Sequence, residues 1–238
     1  LPEADMEYWF ELRDGRTRLR LPAGNAAFRH RRGENRFEVP DWVQDAVFYQ
    51  IMPDRFYNAD PTNDPDPSQP IDFTGRIEGD GFYGGDLQGI LKQLDYLRTL
   101  GVDALYLTPV FASVTHHNYD TDDYERVDPD LGVDADLRQL AQTLHQHNMR
   151  LILDGVFNHV GVYFFAFQDL LRHQEQSPFR DWFVVERFPV AVQWNPSYWA
   201  WWNIPYMPKL NHANPVVRRY LLSVVARWTR ELRLDGWR

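Results

Sequence analysis

Short apolar runs alternate along this chain with stretches of helical period, and few folds accommodate that alternation. The first run, Ala46-Val47-Phe48-Tyr49-Gln50-Ile51, stops at Met52-Pro53 and gives way to a polar loop from Asp54 to Asp80. Asp86 then opens a helical pattern in which Leu87, Ile90, Leu91, Leu94 and Leu97 recur at 3.6-residue spacing, with Gly101 as its stop. Val102 to Val110 is the second run, and a second polar loop extends from Ser113 to Val133. Leu137, Leu140, Ala141 and Leu144 mark the next helix, which Asn148 terminates, and Leu151-Ile152-Leu153 is the third run. An aromatic-rich excursion from Val160 to His212 follows. Asn214 and Pro215 then supply the cap and first turn of a helix carrying Tyr220, Leu221, Val224 and Trp228. Leu234-Asp235-Gly236-Trp237-Arg238 begins a fourth strand.

Such alternation implies an α/β fold with parallel strands and helices outside them. Eight strand–helix units close a barrel, typically in ~250 residues. Three units and the start of a fourth are present, so the expected architecture is an incomplete (β/α)8 TIM barrel with an insert after its third strand. Residues 1–38 follow a different grammar. Tyr8 to Arg13 and Arg16 to Leu21 flank Asp14-Gly15, the pattern of a β-hairpin, and residues 22–35 are basic and irregular. A lone hairpin is barely stable in water. It reads as the edge of an N-terminal β-sandwich domain, or as a hairpin docked on the main domain. The expected division is therefore 1–38 for that remnant and its linker and 39–238 for the half barrel, with 160–212 inserted.

Polar chemistry gathers where the third run ends. Met149-Arg150-Leu151-Ile152-Leu153 leads straight into Asp154, then Asn158 and His159. A strand buried on both faces with a carboxylate at its C-terminal end is how barrel enzymes place their sites. A core strand whose Asp and Asn only cap a turn is the plainer alternative. Composition narrows the ligand. A net charge of −9 with no Lys/Arg block disfavours nucleic acid. Nine Trp and twelve Tyr exceed what core packing calls for, and flat apolar faces with polar edges suit sugar rings. No Cys is present, which excludes disulfides and thiolate metal sites. No apolar run is long enough to cross a bilayer, so no membrane partner is expected.

Four separated stretches together resemble the α-amylase family, glycoside hydrolase family 13. They are Phe82-Tyr83-Gly84-Gly85-Asp86-Leu87, Asp154-Gly155-Val156-Phe157-Asn158-His159, Met207-Pro208-Lys209-Leu210-Asn211 and Asp235-Gly236-Trp237-Arg238. The Met-Pro-Lys-Leu-Asn form is similar to that of the neopullulanase, cyclomaltodextrinase and maltogenic amylase branch. The likeness covers roughly residues 40–238, and the first 35 residues resemble the tail of that branch's N-terminal β-sandwich.

The resemblance implies a substrate-binding group of Tyr119, Asp154, His159 and Arg238. Arg238 matches the arginine beside the family's nucleophile, where a fixed cation would keep a carboxylate ionised. His159 matches a histidine that hydrogen-bonds the sugar, Asp154 the carboxylate beneath it, and Tyr119 a tyrosine on which the sugar stacks. Outside this context His159 would read as a structural histidine and Tyr119 as a half-buried loop residue. The nucleophilic Asp lies two positions past the arginine in that family, and the acid/base Glu comes from a later strand. Both are absent from this sequence, so the chain alone is expected to be inactive. His116-His117 reads as polar loop lining.

Asn58, Asp60, Asn63 and Asp64, with Gly84 and Asp86 across the loop, match the branch's calcium site, so Ca²⁺ is the expected cofactor. Oxygen donors from side chain and backbone are what Ca²⁺ takes. A plain Asn/Asp turn cluster is the alternative, and the EF-hand pattern does not fit. Aromatic residues of the excursion are expected to divide between sugar subsites and packing.

The function the resemblance implies is part of a retaining hydrolase of α-1,4-glucosidic bonds in cyclomaltodextrins, maltodextrins, starch or pullulan. Two alternatives stay open: a catalytically silent α-glucan-binding protein, and a glucan-transferring or trehalose-forming enzyme of the same family. The expected partners are an α-glucan oligosaccharide or cyclodextrin and, for the intact protein, a second copy in a homodimer. The expected address is cytoplasmic, with secretion left open.

Overall fold

The computed structural model describes residues 5–15, 17–30, 39–64 and 81–238. The expected loop from Asp54 to Asp80 thus lies partly outside the described residues. The chain separates into two compact units, Leu1–Asp45 and Ala46–Arg238.

In the first unit, β2 (Phe10–Asp14) and β3 (Thr17–Leu21) form the expected hairpin, with Phe10 opposite Leu21 and Asp14 opposite Thr17. Gly15 sits at φ +55° in its turn, a conformation that costs glycine little. The irregularity expected for residues 22–35 is corrected in part. β1 (Met6–Tyr8) pairs antiparallel with β4 (Phe28–His30), Tyr8 opposite Phe28. Three residues of strand carry too little alternation to show in sequence; the pairing rests on cross-strand contact, with Tyr8 and Phe28 stacked at 5.5 Å. A short helix, α1 (Asp41–Asp45), ends this unit.

The second unit is built on four parallel strands in the order β5 (Phe48–Ile51), β6 (Ala104–Leu107), β9 (Arg150–Leu153) and β10 (Gly236–Trp237). Ile51, Leu107 and Leu153 lie side by side, and Trp237 pairs with Leu153, so the four C-terminal ends share one rim. Spatial order follows chain order, as in a barrel, but among the described residues the strands do not close. Leu105, Leu107, Leu151 and Leu153 are fully buried beneath the helices. The helix expected from Leu87 to Leu97 is in fact two, α2 (Leu87–Lys92) and α3 (Leu94–Thr99). At Gln93 ψ turns to 11°, and its N–H is shared between the carbonyls of Gly89 and Ile90. A Cβ at Gly89 would run into the Tyr57 carbonyl, so α2 presses on the preceding loop only because this residue is glycine.

The second polar loop also needs correction, for it contains a strand, β8 (Asp123–Val127), which pairs antiparallel with β7 (Phe111–Ala112) just ahead of the loop. Charged Asp123, Glu125 and Arg126 mask β8 in sequence, while Tyr124 and Val127 are buried. α4 (Asp134–Gln146) buries Leu137, Leu140, Ala141 and Leu144 as their spacing predicts. Asn148 follows it at φ +58°, as its stop.

The excursion forms a further helix, α5 (Phe165–His173), and folds around Phe164, Phe167, Trp182, Phe183 and Tyr198. Isolated bridges pair His159 with Lys209 and Ala200 with Pro208, returning residues 200–209 to the strand rim. α6 (Pro215–Leu232) begins where the Asn214 side chain accepts the Val216 N–H at 2.8 Å, and it buries Val217, Leu221, Val224 and Trp228. Among the described residues no helix is long and apolar enough to cross a membrane.

Candidate active site

β9 lies between β6 and β10 in the sheet, and the first polar position past its end on the rim is Asp154. Its carboxylate is 2% exposed and fully partnered. Oδ2 accepts from the Tyr106 hydroxyl at 2.6 Å, the Tyr119 hydroxyl at 2.9 Å and Arg238 Nη1 at 2.9 Å. Oδ1 lies 3.2 Å from the same Arg238 nitrogen. Arg238 arrives through sheet register: its N–H donates to the Leu153 carbonyl, and its carbonyl accepts from Gly155. At the other end of the short strand, Asp235 binds the Leu151 N–H, Arg150 and His145. The Asp-Gly-Trp-Arg stretch therefore has an anchoring end and a cleft end.

Electrostatics follow from this packing. Burial and then the Asp154 carboxylate push the Tyr106 hydroxyl well above the usual phenol range, and burial also raises Tyr119. Both stay protonated and donate. The hydrogen bond to Asp154 raises the Arg238 guanidinium further, so the cation is permanent.

His159 is 5% exposed, and burial lowers its pKa. Nε2 lies 3.0 Å from the Tyr119 carbonyl, so it carries the proton, and Nδ1 lies 3.0 Å from the Asn158 amide nitrogen. Both ring nitrogens are thus occupied. Of the two partners, the exposed Asn158 amide is easier to displace than a backbone carbonyl.

Tyr119, Asp154, Asn158, His159 and Arg238 line a cleft of about 940 Å³ together with His117, Trp201, Trp202, Met207 and Lys209. All four residues of the expected binding group, Tyr119, Asp154, His159 and Arg238, border it. Residues 50–238 match the family model of the α-amylase catalytic domain. The chain belongs to the α-amylase family. Over 238 residues it is 43% identical to neopullulanase 2 of Thermoactinomyces vulgaris, covering 100% of this chain and 40% of that protein. It is 45% identical over 202 residues to a cyclomaltodextrinase of Geobacillus thermopakistaniensis, covering 85% of this chain and 34% of that one. The chain therefore spans well under half the length of these relatives. Among solved structures, the cyclic α-maltosyl-(1→6)-maltose hydrolase of Arthrobacter globiformis, in complex with that sugar, matches with a TM-score of 0.77 at 43% identity. That match covers 83% of this chain and 44% of the other. The catalytic domain of the α-amylase family is a (β/α)8 barrel, and the branch expected from Met207–Asn211 is the one these names carry.

Two features around this α-amylase-type cleft escape sequence reading. Tyr106 sits inside the aliphatic run Ala104–Leu107, where its one signal is being the polar-tipped residue among apolar ones. Trp201 and Lys209 reach His159 only through the folding back of the excursion.

The six residues of the calcium reading stand apart from the cleft. Asn58 donates to Asp64 at 2.7 Å, and a Cβ at Gly84 would collide with both side chains. Asn63 Oδ1 is buried without a partner among the described residues, an orphaned acceptor of the kind a cation satisfies. Asp86 is differently employed. Its Oδ2 accepts from the N–H groups of Ala59 and Asp60, and its Oδ1 caps α2 through Gly89. Asp60 Oδ1 accepts from Thr62. Among the described residues no group of three or more Asp, Glu, His or Cys side chains gathers as a metal site. The side-chain oxygens of Asn58, Asn63 and Asp64 are of the type a hard cation takes.

Proposed function

We propose that the protein carrying this chain hydrolyses α-1,4-glucosidic bonds of cyclomaltodextrins, maltodextrins, starch or pullulan with retention of configuration. The observation that carries this reading is the fully partnered Asp154 on the strand rim, held by Tyr106, Tyr119 and Arg238 inside an aromatic cleft.

Retaining hydrolysis runs through an oxocarbenium-like transition state between two carboxyl groups, one nucleophile and one acid/base. In the α-amylase family the nucleophile follows two positions after the arginine matched by Arg238. Arg238 is a fixed cation there, holding its neighbouring carboxylate ionised and favouring attack. Asp154 orients that guanidinium and the Tyr119 ring on which a glucosyl unit stacks. Neutral His159 hydrogen-bonds the same sugar. The wall of the cleft from residues 200–209 excludes water from one side, and we assign residues 160–212 to the family's inserted subdomain and the N-terminal hairpins to the remnant of a β-sandwich. In this reading a calcium ion, held by Asn58, Asn63, Asp64 and the Gly84 backbone, supplies no chemistry and ties the 58–64 loop to the segment before α2. The intact protein is a homodimer, by analogy with the branch.

The test is incubation of the protein, expressed from its full reading frame, with β-cyclomaltodextrin and with pullulan, following reducing ends and product anomers by NMR. Release of α-anomers is expected. β-Anomers overturn retention, binding without products overturns hydrolysis in favour of a silent binder, and absence of binding overturns the α-glucan reading as a whole.

A further inference from the structure

Alternation along β6 puts Leu105 and Leu107 under the helices and turns Tyr106 to the opposite face, in register with Gln50 on β5 and Ile152 on β9. Tyr106 is half-buried there, one residue short of the end of its strand. From that depth it reaches the rim, where its hydroxyl donates to Asp154 Oδ2 at 2.6 Å. It is not among the residues that line the cleft. A sugar in the cleft therefore meets Tyr119 and Arg238, the other partners of Asp154, and not Tyr106.

The three donors on Asp154 differ in how firmly each is held. The Arg238 side chain is 63% exposed, and Tyr119 sits on the loop between β7 and β8. Neither by itself pins the carboxylate. Tyr106 is rooted in the interior of the sheet, with β5 on one side and β9 on the other. Burial keeps its hydroxyl protonated, so it always donates. The bonds from Tyr106, Tyr119 and Arg238 converge on Oδ2, and Arg238 Nη1 also lies 3.2 Å from Oδ1. The last torsion of an aspartate is soft, so a carboxylate takes the plane that its firmest donor sets.

We propose that Tyr106 is a positioning residue: its hydroxyl sets the plane of the Asp154 carboxylate and, through it, the place of the Arg238 guanidinium, without touching the substrate. Once the hydroxyl is gone, the carboxylate turns toward Arg238 and the guanidinium follows it, away from the reacting centre. Misplacement by about 1 Å costs up to about a hundredfold in rate. This assignment rests on the α-glucan hydrolase reading above and adds to it a residue that acts on the rate and not on sugar binding.

The test measures kcat and KM on β-cyclomaltodextrin for the protein expressed from its full reading frame, for Tyr106→Phe, for Asp154→Ala and for the two combined, with urea midpoints to follow folding. Tyr106→Phe keeps the ring and removes the hydroxyl alone. It is expected to lower kcat about tenfold and to leave KM within about twofold of wild type, the pattern of an interaction that matters in the transition state. In the Asp154→Ala background it is expected to cost nothing further, because the carboxylate through which it acts is gone. An unchanged kcat, a loss in KM alone, or losses that multiply in the combined variant would each overturn the positioning role while the α-glucan reading stands. A Tyr106→Phe protein that no longer unfolds cooperatively would assign the hydroxyl to packing and overturn it likewise. If wild type turns over no glucan, the hydrolase reading itself fails.

Discussion

Arg238 Nη1 reaches both carboxylate oxygens of Asp154, at 2.9 and 3.2 Å, across 84 positions of chain. The two partners differ in solvation: the Asp154 side chain is 2% exposed and that of Arg238 63%. An exposed arginine is screened, so the pair contributes about 1 kcal/mol or less to stability. Removing the carboxylate does more, because the Tyr106 and Tyr119 hydroxyls lose their acceptor, at a cost of about 1–3 kcal/mol. Urea denaturation should therefore rank Asp154→Ala below Arg238→Ala in stability. Turnover of β-cyclomaltodextrin should fall about a hundredfold in either variant, the scale of losing a fixed electrostatic group at a reacting centre. A stability order reversed from this would show that the ion pair, and not the tyrosine hydrogen bonds, holds the rim.

Trp228 joins α6 to the antiparallel pair of β7 and β8, of which sequence reading took β8 for a loop. It is 0% exposed, packs 5.3 Å from the Phe111 ring, and donates its indole N–H to the Tyr124 carbonyl at 2.8 Å. Trp228→Ala should cost about 3–5 kcal/mol. Trp228→Phe keeps much of the ring but leaves that carbonyl unpaired and should cost about 1–3 kcal/mol. Equal losses in the two variants, read from urea midpoints at constant m, would argue that the indole hydrogen bond, which both lose, carries the effect and the ring volume does not.

What was legible before the structure follows the reach of each signal. β9 and Asp154 could be read because an apolar run and the carboxylate that ends it are adjacent in sequence. Leu137, Leu140, Ala141 and Leu144 show their helix for the same reason. β8 could not, since its buried residues, Tyr124 and Val127, alternate with charges paired at the surface, such as Asp123 with Arg126 at 3.2 Å. α5 is hidden by aromatics on both of its sides: Phe165 is exposed and Phe167 buried, which blurs the 3.6-residue period. The binding group was legible only through the resemblance, because Tyr119, Asp154 and Arg238 meet by strand register. Trp201 and Trp202 depend on bridges between residues some fifty positions apart, such as His159 with Lys209, a distance over which spacing carries no signal.

Asp122 makes a pH prediction. It sits beyond Tyr119 on the same loop, accepts the Tyr163 N–H at 2.8 Å, and leaves Oδ2 buried without a partner among the described residues. Burial, then the neighbouring Asp120 charge, raises its carboxyl to about 8. Burial likewise raises nearby Asp128 to about 7. With the unfolded value at 3.8, the native state binds the extra proton between about pH 4 and pH 8, so stability falls as pH rises through that window. Asp122→Asn keeps an acceptor for Tyr163 and removes the titration. Its melting temperature should exceed wild type at pH 8, by an amount equivalent to on the order of 1 kcal/mol, and match it near pH 4. A variant that tracks wild type across the whole range would show that Asp122 ionises freely in the folded protein.

Calcium can be tested without activity, because the residues first expected to hold it differ in what else they do. Among the described residues Asn63 Oδ1 has no other partner, whereas Asp86 caps α2 and holds the Ala59 and Asp60 N–H groups. A ligand that binds only the native state adds about 2.7 kcal/mol at a hundred times its dissociation constant. Calcium should therefore raise the wild-type melting temperature by several degrees, and chelation should reverse the rise. Asn63→Ala should melt like the calcium-free wild type whether or not calcium is added, since it removes a ligand and nothing structural. Asp86→Ala should melt lower in both conditions, by about 1 kcal/mol for the lost cap alone. A wild-type melt indifferent to calcium would reduce the loop to an Asn/Asp turn cluster. A calcium response that survives Asn63→Ala would place the ion on other oxygens.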